Sequence, residues 1–386
     1  MQIFHINHIF HKATKKYPST KELASYLDEN YGARLSTNIA TKGKSQTINV
    51  YSSFVNDVYL PINESLLVRQ IQLLSDLFFN PLVQDQKFDE EIVKMKKKEL
   101  KERLQVNKDD KFSYSLDKLF EYMGKNHTLG IPSTGYEDEI DTISSHDLYK
   151  YFLETIQNDE KHLYVVGDID ESIIDILNQH LQFPENNKDY PSAYSFDSQR
   201  QDVLEIIEEQ DLTQSKLNMG YRIDCDFTSN HHYAFTVFNA LFGGFSQSRL
   251  FKVVREENSL CYYVSSSYDA FNGIMIVNAG IEAKDYQKTM SLIKEQLEDI
   301  QNGNLSDNDI QIAKIMLQNA LRKTNDEAGS MIALAYNRDI THKQETNDEY
   351  IQKLLNVSKE DIINVAKKVQ LDTIFFLTGK DFHGNN

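Results

Sequence analysis

The chain runs twice through one order of elements, and that repetition limits its fold more than any single residue does. In the first half, Ser19, Thr20 and Glu22 open a helical pattern with Leu23, Tyr26 and Leu27 on one face, closing near Gly32. Alternation from Leu35 to Val55 around Lys42-Gly43-Lys44 reads as a hairpin, and Ser65 to Phe79 as a helix stopped by Asn80-Pro81. A long helix through Leu104, another from Leu116 to Met123, a helix begun at Ser145 and a strand from His162 to Val166 complete this half. The second half offers strands at Val203–Ile207 and Lys216–Ile223, helices at Ser229–Phe242 and Gln247–Glu257, and a hairpin from Tyr262 to Ile281. A helix from Tyr286 to Gln301, further helices and a last strand, Thr373–Thr378 before Gly379, follow.

Two lobes result, since 386 residues exceed what one core usually holds. The polar, proline-bearing stretch 184–202 reads as a linker, which places the lobes at 1–183 and 203–386. The first lobe lacks the two opening strands of the second and reads as truncated at its start. The sheet edge this leaves exposed calls for a partner to cover it.

The charge balance narrows the function. With 58 acidic against 41 basic residues, the net charge of −17 repels phosphate backbones and anionic lipid, which disfavours nucleic acid and membrane as partners. Two cysteines, Cys225 and Cys261, imply no disulfide framework and suit a reducing cytoplasm; no window has the apolar length of a membrane span. On the long helix, Phe88, Ile92, Met95, Leu100 and Leu104 form the expected inner side. Lys94, Lys96, Lys97, Lys98, Lys101 and Arg103 form the solvated one.

The most specific stretch runs from Leu241 to Tyr262, LFGGFSQSRLFKVVREENSLCY. Gly243 and Gly244 permit tight backbone geometry between two helices, and Ser246 can cap the second. Arg255 falls at the end of that helix and Tyr262 at the start of a strand, so both polar heads can face one cavity. The alternative is an Arg255 paired with Glu256 or another acid, and a Tyr262 that only packs.

This stretch resembles the second-lobe signature of the insulinase, pitrilysin and mitochondrial processing peptidase family: a glycine pair, S-x-S-R-L-F, R-E, then leucine and tyrosine opening a strand. The resemblance extends to HKATKKYPST at 11–20, GIPSTGYEDEI at 130–140 and Val166-Gly167-Asp168. It implies an α+β fold of two homologous lobes, each a mainly antiparallel sheet covered by helices. It also implies that Arg255 and Tyr262 bind substrate, supplying donors to peptide carbonyls or to a developing oxyanion.

The family's zinc motif is His-x-x-Glu-His, and no such string occurs in the chain. Aligned through HKATKKYPST, its positions fall on Phe4, Asn7 and His8, and the distant acidic ligand falls among Glu90, Glu91 and Glu99. Phe4 cannot ligate and Asn7 cannot deprotonate a metal-bound water, so the resemblance implies no catalytic residues and no metal in this chain. The rival is a metal held by His5, His8 and His11, which recur every third residue.

In two-chain members of this family, one subunit carries zinc and the other the arginine and tyrosine. The resemblance therefore implies a non-catalytic subunit of a heterodimeric zinc endopeptidase, with zinc in a homologous partner and a peptide as substrate. The abbreviated first lobe is similar to the non-catalytic subunit type of subtilosin (bacteriocin) maturation. In isolation such a chain can pair with itself as a homodimer. A peptide-binding or structural scaffold, and an autonomous metallopeptidase with a rebuilt site, are the competing readings.

Overall fold

The computed structural model describes residues 14–61, 65–125, 127–132, 134–185, 194–195, 202–229 and 231–380. Its contacts divide the chain into two units, one drawn from 1–41, 45–106 and 132–192, the other from 42–44, 107–131 and 193–386.

The first unit opens with α1 (Thr20–Glu29), whose Ser19 and Glu22 form a reciprocal capping box. The hairpin β1 (Arg34–Lys42) and β2 (Ser45–Ser53) follows, with no fully buried residue on either strand. Ser65 caps α2 (Leu66–Phe79) by accepting from the Val68 N–H, and Leu73 and Leu77 pack on Leu23 of α1. Two short strands, β3 (Val83–Gln84) and β4 (Lys87–Phe88), lead into α3 (Glu90–Asp109). After α4 (Lys111–Met123), which belongs to the second unit, α5 (Ser145–Asn158) and α6 (Ser172–His180) return to the first. Phe88, Val93, Leu148 and Phe152 form one small core here, and Leu100, Leu104 and Ile140 another.

Two expectations fail in this unit. Residues 162–166 form no ladder with a strand among the described residues, and Leu163, Val165 and Val166 stand exposed. A β-branched run fits a pleated surface, but a strand exists only where a second edge accepts its backbone groups. The inner face of α3 is also rotated from the expected one. Val93, Lys96, Leu100 and Leu104 are buried while Met95 is 44% exposed. Lys96 turns inward and pairs with Glu99, at i+3; its neighbours do lie outward, with Lys101 reaching Asp141 at 2.6 Å.

The second unit carries the larger core and the fuller form of the expected α+β architecture. Its five-stranded sheet has the order β5-β9-β6-β8-β7, from β5 (Leu204–Gln210), β6 (Ser215–Arg222), β7 (Cys261–Asp269), β8 (Ile274–Ile281) and β9 (Gln370–Gly379). Only the β5–β9 pair is parallel. One face receives α4, whose Leu119 and Met123 meet Ile274, Ile276, Phe375 and Leu377. That approach needs Gly220, where a Cβ would come within 2.2 Å of the Met123 sulfur. Arg222 donates to the Met123 carbonyl at 2.6 Å and to Asp372 at 3.2 Å, tying the end of α4 to the sheet.

The other face is covered by α7 (His231–Asn239), α8 (Tyr286–Gln301), α9 (Asp307–Thr324), α11 (Asn347–Leu355) and α12 (Lys359–Ala366), with α10 (Ala328–Thr341) packed on α9. Every residue of β8 is buried, as a strand covered on both faces requires. Most of the stretch expected to link the lobes, 186–193 and 196–201, lies outside the described residues. Within it, Tyr194 stacks on Phe271 and the Ser195 N–H donates to the Phe271 carbonyl at 2.7 Å.

Candidate functional site

The stretch from 241 to 262 leads from the buried interior to the surface. Upstream of it, in α7, His232 is buried, with Nε2 2.9 Å from the Tyr350 hydroxyl. Burial, assisted by the Lys343 ammonium and opposed by Asp226, pushes its pKa down to about 3, so the ring is neutral.

From α7 the chain widens into a π-helical segment, Ala240–Gly244. Gly243 lies against β7: a Cβ there would stand 2.6 Å from Ser266 Oγ and 2.8 Å from its backbone nitrogen. The next helix is capped by Ser248, not by Ser246 as expected. Ser248 donates its own N–H back to Phe245, closing a turn, and its hydroxyl accepts from the Phe251 N–H at 3.4 Å. Arg249 and Leu250 begin this helix, and Phe251–Glu257 continue it as a second π-helical segment, closed by the Asn258 N–H on the Val253 carbonyl.

The two arginines of this helix are used differently. Arg249 donates from Nε to Gln296 at 3.1 Å, from one terminal nitrogen to Asp299 at 3.1 Å and from the other to the Asn304 carbonyl. It thereby fastens the helix to the end of α8 and the loop beyond. Arg255 is exposed, and its guanidinium carbon lies over the Phe251 ring, 4.6 Å from the centroid. Among the described residues it pairs with neither Glu256 nor any other carboxylate.

Tyr262 owes its placement to a fault in the ladder. Cys261 pairs with Ile281 and Tyr263 with Gly280, which leaves Tyr262 as the extra residue of a bulge. Regular alternation would put Tyr262 on the face of the buried Val264 and Ser266; the bulge turns it out, and it is 77% exposed. The Arg255 charge reaches the adjacent Cys261 thiol, drawing its pKa down, but burial outweighs it and holds the thiol up at about 11. Both expected site residues therefore reach solvent at the same end of the stretch. Sequence reasoning missed Phe251 beneath Arg255, although a spacing of four residues within one helix was a visible signal.

Phe4, Asn7 and His8, with His5 and His11, lie outside the described residues. Among the described residues no three His, Cys, Asp or Glu side chains come together as a metal site. Glu90 and Glu91 sit exposed in the first turn of α3, and Glu99 is paired with Lys96. At Phe4, Asn7 and His8, onto which the resemblance would align the zinc motif, the side chains do not fit zinc, because phenylalanine offers no ligand atom and an amide cannot serve as base. No helix among the described residues is long and apolar enough to cross a membrane.

Comparison with known proteins gives the class of this two-unit α+β chain. Residues 142–317 match the family described as the peptidase M16 inactive domain. The probable inactive metalloprotease YmfF of Bacillus subtilis is 36% identical over 97% of this chain and 88% of its own length. The uncharacterized zinc protease YmxG of the same organism is 22% identical over 94% and 84%. A conserved protein from Enterococcus faecalis has a crystal structure that superposes with a TM-score of 0.91, at 29% identity, over 100% of this chain and 90% of that one. A Helicobacter pylori protease shares the fold with a TM-score of 0.78 at 16% identity, over 98% and 89%. The chain belongs to the peptidase M16 inactive-domain family.

Proposed function

We propose that this chain is the non-catalytic subunit of a two-chain zinc endopeptidase, offering Arg255 and Tyr262 to the backbone of a peptide that a zinc-bearing homologous partner cleaves. The observation that carries this reading is Arg255 itself. It is an exposed arginine that meets no protein acceptor among the described residues, and seven residues on a bulge turns a tyrosine to solvent. Unspent donors of this kind suit peptide carbonyls and an oxyanion. The names of the relatives lend support: YmfF is called a probable inactive metalloprotease, while more distant relatives are called zinc proteases. The substrates in this reading are short or unfolded peptides of the bacteriocin-precursor kind, and the enzyme works in the cytoplasm.

The test measures zinc content and peptide cleavage for the chain alone and mixed with a zinc-bearing homologue from the same cell, with a leader-bearing precursor peptide as substrate. The expected result is no zinc and no cleavage alone, with cleavage in the mixture that falls when Arg255→Ala is introduced. Stoichiometric zinc with cleavage by the chain itself would overturn the proposal. Cleavage in the mixture that is indifferent to Arg255→Ala and Tyr262→Phe would reduce the chain to a scaffold.

A further inference from the structure

An arginine intended for a ligand faces a conflict. Hydrogen bonds to protein acceptors fix its position but use the donors the ligand needs, whereas a free side chain keeps its donors and loses rotamer freedom on binding. The Arg249 guanidinium shows the first solution, held by Gln296, Asp299 and Asn304. Arg255 shows a way round the conflict, because an aromatic face attracts a cation through its quadrupole and takes none of its N–H groups.

The geometry points to Phe251 as a positioning residue for Arg255, an inference that rests on the reading of Arg255 as a peptide-binding group. Phe251 is half-buried and lies outside the apolar cluster that fills the second unit, although Phe245 and Cys261 on either side of it pack against that cluster. The ring instead lies under the guanidinium carbon, at 4.6 Å. Both residues belong to the π-helical segment Phe251–Glu257. The Asn258 N–H, at 3.2 Å, and the Asn258 side-chain amide, at 2.9 Å, both donate to the Val253 carbonyl and fasten its end. The support under Arg255 is therefore part of a closed turn and is present before any peptide arrives, which lowers the ordering cost of binding. Phe251 acts through Arg255.

The test uses the full chain and four variants: Phe251→Leu, Phe251→Trp, Arg255→Ala, and Phe251→Leu combined with Arg255→Ala. The first readout needs no ligand. The NMR signal of the Arg255 side-chain Nε–H is expected to show a ring-current shift that Phe251→Leu abolishes and Phe251→Trp keeps. The second is binding of a fluorescently labelled, unstructured precursor peptide. Phe251→Leu is expected to weaken it about two- to fivefold, Phe251→Trp to hold it near the parent value, and Phe251→Leu to cost nothing further once Arg255 is alanine. An unshifted Arg255 signal in the parent chain, or an equal loss from Phe251→Leu with and without Arg255, would overturn the inference. The tryptophan variant guards against a leucine variant that misfolds. Should Arg255→Ala leave peptide binding unchanged, the functional reading of Arg255 falls. The ring-current shift would still decide separately whether Phe251 holds the guanidinium.

Discussion

Arg249 and Arg255 stand six residues apart in one helix, and the contrast between them separates what the signature does for the fold from what it offers to a ligand. At the inner end, Gly243 lies against Ser266 and Arg249 ties the helix to the end of α8 and the loop after it, so each guanidinium nitrogen has a fixed partner. At the outer end, Arg255 rests on a ring with its donors unspent and Tyr262 projects from a bulge. A signature of this kind is two devices in series. Sequence likeness alone reports them as one.

Substitutions can break that comparison. The largest loss of stability is expected from Arg249→Ala, which removes three hydrogen bonds and leaves the Gln296 oxygen and one oxygen of Asp299 without their donor; about 2–3 kcal/mol should disappear in urea unfolding. Gly243→Ala should cost about 1–3 kcal/mol in the same assay, since the added carbon meets the β7 backbone and cannot be absorbed by a side-chain rotation. A destabilisation as large from Arg255→Ala would erase the distinction between the two ends.

The next effect depends on pH. The His232 pKa lies at about 3 in the folded chain against an ordinary 6.5, so between those values the unfolded chain binds a proton that the folded chain refuses. Stability is therefore complete above pH 6.5 and falls as pH drops, by about 2 kcal/mol at pH 5. Urea titrations at pH 5 and 7.5 should show this difference, and His232→Gln should flatten it. The groups facing the ring are the Tyr350 hydroxyl, Lys343, Asp226 and the rings of Phe227, Tyr233 and Tyr268. Smallest of all, Arg255→Ala and Tyr262→Phe should change unfolding by no more than about 0.5 kcal/mol, as exposed side chains outside any hydrogen-bond network do. They should nonetheless weaken peptide capture several-fold, measured by fluorescence anisotropy.

Much of this was legible in the sequence where local pattern and final environment agree. The helix over Tyr286–Gln301 was readable to the residue because its apolar positions repeat with one face buried throughout. Helix α6 was missed because Glu171 provides no side-chain cap and only Ile173 is buried, so neither a start signal nor a full stripe marks it. The strand expected at 162–166 is a strong local preference that joins no strand edge among the described residues. At the site, the placing of Arg255 near a helix end and of Tyr262 at a strand start was readable locally, while their role came only from the resemblance. The bulge was not readable, because the register that creates it is set by Gly280 and Ile281 on another strand. The work of Arg249 depends on residues about fifty positions further on, which no local window contains.

The parallel pairing of β5 with β9 bears on how such a chain is made. β9 occupies an inner place between β5 and β6, and the contact that joins Ser215 to Thr378 spans 163 residues. During translation β7 and β8 can form a hairpin with β6 added beside β8, but β5 has no neighbour until β9 emerges, and the edge of β6 that pairs with β9 stays open for as long. A nascent chain stalled before residue 370 would expose that edge to other polypeptides. Chaperone dependence and aggregation of truncated products should therefore change sharply at the point in synthesis where β9 leaves the ribosome.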